Sequence, residues 1–89
     1  MSTFEGAKIT EQGVTFGIVI VKPHVLHNTQ DQMGMRALGT RAFGRIPIIL
    51  MAQDGRGVPT YQGRRDIVDF LSNLFIEQIP WQRYTLSAA

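Results

Sequence analysis

The sequence contains no cysteine, which excludes disulfides, thiolate catalysis and cysteine-ligated metals. Serine occurs only as Ser2, Ser72 and Ser87, none of them in the sharp strand-to-helix setting of a hydrolase nucleophile. Gly55-Arg56-Gly57 is the densest glycine cluster, but it falls between two strand-like stretches, so it is not a phosphate-cradling fingerprint. No apolar run approaches the roughly 20 residues of a membrane span. Residues 1–10 lack the charged and apolar regions of a secretory signal. A cytoplasmic location without a membrane partner is therefore expected. Charge is also scarce: 18% of residues, nine basic and seven acidic. The basic residues are dispersed rather than gathered in the patch typical of nucleic-acid domains. So little charge on a small body implies that part of the surface is covered by a partner.

What the sequence does contain is concentrated in residues 45–75, where strand, Gly-rich turn, short strand and amphipathic helix follow with few spare residues. Upstream, residues 4–10 suit a short strand, and Glu11, Gln12 and Gly13 a turn. Residues 14–22 are rich in β-branched side chains. Alternation puts Val14, Phe16, Ile18 and Ile20 on one face and Thr15, Gly17, Val19 and Val21 on the other. Pro23 ends that strand. Asn28 or Thr29 is positioned to cap a helix running to about Phe43, with Asp31 in its first turn and Gly44 as its exit. Its apolar residues fall on two sides, Met35, Leu38 and Ala42 against Met33 and Ala37, so contact with more than one neighbour is expected.

Residues 46–52 form a second strand without a polar face: Ile46, Ile48, Leu50 and Ala52 opposite Pro47, Ile49 and Met51. Asp54-Gly55 signals a turn, and Pro59 weakens the following strand at 58–62. In the last helix Ile67, Val68, Phe70, Leu71, Leu74 and Phe75 cover one half of the wheel. Pro80 stops it, and residues 81–86 alternate as a final strand.

This order predicts a single α+β domain over residues 1–89: a two-layer βαββαβ arrangement, ferredoxin-like, with an extra N-terminal strand. Both helices then share one sheet face. The apolar second face calls for a second copy of the chain, hence a homodimer or higher oligomer; the alternative is that the N-terminal segment folds over it.

A second resemblance rests on Ile46-Pro47-Ile48-Ile49-Leu50, Asp54-Gly55, Gly63 and the helix over 67–74. This order resembles the C-terminal half of thioredoxin-like α/β proteins and implies a cis peptide before Pro47. The Cys-x-x-Cys motif of that family's redox activity is absent.

Three functions follow as expectations. The first is a non-enzymatic interaction or regulatory module that self-associates. The second is binding of an anion or nucleic acid by Arg45, Arg64 and Arg65, with Tyr61 nearby, since guanidinium forks and a helix N-terminus both favour phosphate. The third is a small enzyme or metal site at the rim carrying Lys22, His24, His27, Asp54 and Arg56, where Trp81 is also expected. His24, His27 and Asp54 make a two-His, one-carboxylate set or a His/Asp acid–base pair. Asp54 is more simply explained as the Asp of an Asp-Gly turn, and Arg64 and Arg65 as partners of Asp66, Asp69 or Glu11 or as solvated side chains. No cofactor is expected.

Overall fold

The computed structural model describes residues 2–87. Strands β1 (Ser2–Glu11) and β2 (Val14–Ile20) form a hairpin around Gln12 and Gly13, whose φ values of 51° and 79° give the doubly left-handed turn that matches strand twist. A 3₁₀ turn at Pro23–His27 leads into helix α1 (Thr29–Phe43), which the Asn28 side chain caps by accepting the Asp31 N–H at 3.0 Å. Strand β3 (Ile48–Gln53) returns parallel to β2, and β4 (Pro59–Gln62) pairs antiparallel with β3. Asp54 shapes the turn between them, its Oδ1 accepting the N–H groups of Arg56 and Val58. Helix α2 (Arg65–Leu71), a 3₁₀ turn at Ile76–Gln78 and strand β5 (Gln82–Leu86) complete the chain. No helix among the described residues is long and apolar enough to cross a membrane.

The sheet order is β4-β3-β2-β1-β5. This keeps the α+β class but corrects the ferredoxin-like layout. In a split βαβ arrangement the two parallel strands are separated by another, whereas β2 and β3 are direct neighbours here. The last strand pairs with β1, not with β2. The layering differs too. On one face Val19, Val21, Ile48 and Leu50 bury against Met35, Leu38 and Phe43 of α1. On the other, Phe16, Ile18, Ile49 and Met51 bury against Ile67 and Leu71 of α2, with Ile79 after it. The two-sided apolar strands are thus satisfied by one helix on each face, not by a second copy or by a folded-over N-terminus. Beyond α2, the same face continues over β1 and β5 as exposed Thr3, Glu5, Arg83 and Thr85, with Arg83 3.8 Å from Glu5.

Smaller departures have local causes. Helix α2 ends at Leu71, so Phe75 lies in the following turn and is 77% exposed rather than on the buried stripe. Met33 and Ala37 are also exposed, so α1 buries a single stripe. Every peptide bond among the described residues is trans, including the one before Pro47, against the cis geometry implied by the thioredoxin-like resemblance.

Ladder alternation fixes which backbone groups face outward at the sheet edges. Counted from the two-residue hairpin, β2 turns its even residues toward β1 and its odd residues toward β3, in agreement with the Gly17 N–H to Pro47 O and Val21 N–H to Met51 O bonds at 2.9 and 2.8 Å. The same count turns Gln82, Tyr84 and Leu86 of β5 toward β1, leaving Arg83 and Thr85 facing outward. On β4, the Asp54–Val58 bond directs Thr60 and Gln62 toward β3 and leaves Pro59 and Tyr61 facing outward.

Two glycines of α1 do different things. A Cβ on Gly39 would sit 2.8 Å from Ile48 Cγ2 and 3.0 Å from Val19 Cγ2, so this glycine lets the helix approach the sheet. A Cβ on Gly34 would meet nothing within 4 Å. Gly34→Ala should stabilise the fold by about 1 kcal/mol through helix propensity. Gly39→Ala should destabilise it by about 1–3 kcal/mol through overpacking. Urea midpoints at constant m-value test both, and equal effects of the two substitutions would refute this account of the helix–sheet contact.

Candidate functional site

Because β2 and β3 are parallel, their C-terminal ends reach one rim, where Lys22 and the 3₁₀ turn Pro23–His27 emerge. Two grooves open on either side of that turn. The larger, about 550 Å³, has Phe4, Val21, Val25 and Met35 among its apolar walls and Lys22, His24 and Asp31 among its polar ones. His24 Nε2 lies 3.9 Å from Asp31 Oδ2, and both side chains are largely exposed. The smaller groove, about 390 Å³, runs between the turn and the β4 edge and is lined by Leu26, His27, Asp54, Thr60 and Gln62.

The expected His24–His27–Asp54 set is therefore divided. His27 and Asp54 share one groove, while His24 faces the other with Asp31, a partner the sequence reading did not name. Among the described residues no group of three His, Asp or Glu side chains is close enough to hold a metal. Asp54 Oδ1 is engaged by its own turn, and Arg56 is exposed within that turn. Trp81 does not stand at this rim. Its neighbour Gln82 is level with Gly6 and so with Val19, and the indole Nε1–H donates to Ile76 O at 2.9 Å, against the core on the α2 face.

The arginines are at the opposite rim, where β2 and β3 begin. Arg64 makes a bidentate contact with Asp66, Nε to Oδ1 and Nη2 to Oδ2, each 2.8 Å. This hydrogen-bonded pair holds the Asp66 carboxyl below the usual carboxylate range and raises the Arg64 guanidinium above its own. Arg45 and Arg65 are exposed. Glu11 and Asp66 line a groove of about 180 Å³ between the β1–β2 hairpin and α2, which puts carboxylates where an anion would dock. Helix α2 is only seven residues long and begins with this ion pair, so its N-terminus is not an independent anion site.

Two polar groups of consequence escaped the sequence reading. Arg36, on α1, reaches across the sheet. Its Nη1 donates to Ile48 O, and its Nη2 lies 3.1 Å from Gln62 Oε1 and 3.3 Å from Gln62 O. Ile48 O points toward β4 just where that strand ends, so the guanidinium completes the ladder, and burial lowers its pKa. Arg36→Met would leave these acceptors unpaired. A loss of about 1–3 kcal/mol in denaturant unfolding is expected; an unchanged midpoint would show that water replaces the arginine.

The second group is the Tyr61 hydroxyl, which is buried without a partner, and burial raises its pKa above the ordinary value of 10.0. A raised folded-state pKa favours the neutral phenol. Its contribution is therefore complete below about pH 10 and is lost as pH rises through the folded-state value. Tyr61→Phe should stabilise the fold by about 1 kcal/mol near neutrality, since it removes an unpaired buried hydroxyl. It should also flatten the alkaline fall in stability. Parallel pH–stability curves for the two proteins would contradict this.

No protein-family model, curated protein or solved structure matches the chain.

Proposed function

We propose that the chain is a small interaction module that self-associates, without a catalytic step of its own, and that a sheet edge rather than a sheet face does the work. The observation that carries this reading is the contrast between the two edges. On β4, Pro59 occupies an outward-facing position and has no N–H to offer, which blunts that edge. Strand β5 has no proline, and Arg83 is the only charged residue among its five. Its outward N–H and C=O groups form the kind of edge that natural sheets usually protect or pair.

Binding of an anion or nucleic acid through Arg45, Arg64 and Arg65 draws less support, because Arg64 is already paired with Asp66. A reaction at His24, His27 and Asp54 draws less support because the three side chains do not converge on one groove. Light scattering across a micromolar dilution series tests the reading. A mass of twice the 10.0 kDa chain is expected at the upper end, falling toward the monomer on dilution. A monomer throughout would refute it.

A further inference from the structure

The geometry points to a specific partner arrangement at the β5 edge: a second copy pairing antiparallel about a two-fold axis at Tyr84, so that Arg83 of each copy lies opposite Thr85 of the other. This deepens the self-association reading and rests on it.

The outward backbone groups of β5 dictate the register. Only Arg83 and Thr85 within the strand direct their N–H and C=O groups away from β1. An isologous contact must map the same surface onto itself. The set 83, 85 maps onto itself only when the axis passes through residue 84. Arg83 and Thr85 of the two copies then exchange N–H···O=C bonds in both directions, and all of these outward groups are satisfied. Centring the axis on Arg83 would set two guanidiniums directly opposite each other, a destabilising pair. It would also leave the Thr85 groups unmatched. In the favoured register the two arginines are diagonal neighbours, and Glu5 of the same chain, 3.8 Å from Arg83, offsets each charge.

The side chains agree with this register. Tyr84 and Leu86 face α1 and are only half-buried in the single chain, although Tyr84 stacks on Phe4 at 5.3 Å and meets Phe43 edge-on at 4.8 Å. The second copy brings its own Tyr84 alongside, in the close, non-hydrogen-bonded position of the ladder where aromatic pairs interact best. On the opposite face Arg83 and Thr85 are exposed, so nothing beneath them needs to move. The product is one continuous sheet in which each copy retains β4 as an outer edge capped by Pro59. Growth therefore stops at two copies.

The cysteine-free chain makes the register directly readable. Arg83→Cys and Thr85→Cys chains are prepared separately, mixed in equal amounts and oxidised gently. A hydrogen-bonded antiparallel pair has Cα atoms about 5.5 Å apart, within disulfide reach, whereas each self-pair lies beyond about 7 Å. The mixed disulfide should therefore exceed either self-disulfide by about tenfold. Thr85→Pro removes an N–H that the single chain does not use. It should give a monomer by light scattering with an unchanged far-UV circular dichroism spectrum. A wild-type dimer that gives no selective mixed disulfide, or that survives Thr85→Pro, would overturn this interface while leaving self-association standing. A wild-type monomer would remove both. Preferential Arg83→Cys self-disulfides would overturn the register.

Discussion

The structure depends on one constraint: β2 and β3 are parallel neighbours with no polar face, so each must be covered on both sides. An antiparallel strand can leave one side to water, but Phe16, Ile18, Val19, Ile49, Leu50 and Met51 leave β2 and β3 no such side. With two helices available, the chain places one on each face. Everything else follows from that division. The β2–α1–β3 crossover puts α1 on the first face, and the β3–β4 hairpin carries the chain outward before α2 folds back over the second. The chain past α2 crosses the sheet to reach β1, so β5 becomes the far edge instead of joining the middle. Close approach is then decided by single atoms. Phe43 lies over Gly17, and Gly39 lies against Ile48 and Val19, both at positions where no side chain fits.

Most of the elements were legible because their signals are local. Alternation assigned both faces of β2 and β3 residue by residue. Asn28 or Thr29 and Gly44 bounded α1, with Asn28 the cap in the structure. Glu11-Gln12-Gly13 and Asp54-Gly55 marked the two hairpin turns, although Glu11 itself ends β1. Which helix covers which face was not legible. In sequence α2 carries one apolar stripe and α1 apolar residues on two sides, and neither pattern states the side of the sheet to which the helix returns. The same gap misdirected the dimer argument: an apolar second face was correctly inferred, but α2 rather than another chain covers it. Phe75 was misread because its wheel position fits the stripe while the helix has already ended at Leu71. The candidate sites were less legible still. His24 and His27 look like a pair in sequence, yet the turn that carries them divides two grooves. Arg36 shows no pattern at all, because its acceptors are backbone groups exposed only where β4 runs short.

The low charge that suggested a covered surface now has a narrower meaning. Among the described residues no broad apolar face is left bare: Phe4, Tyr84 and Leu86 pack with α1 on one face, and beyond α2 the other face is polar, with Thr3, Glu5, Arg83 and Thr85. Among the large apolar side chains of the described residues, Met33, Val58 and Phe75 are the prominently exposed ones, and they lie far apart in the chain. The surface that still lacks protection is backbone, not side chain. An edge strand is normally defended by lysine, proline or a bulge. Proline defends β4, while β5 has one arginine, already beside Glu5. That asymmetry limits what self-association can be. Two open edges would permit fibres, and none would leave only side-chain contacts. One open edge with a two-residue outward repeat closes after a single pairing, so the chain's few charges are compatible with a discrete dimer and do not require a larger assembly.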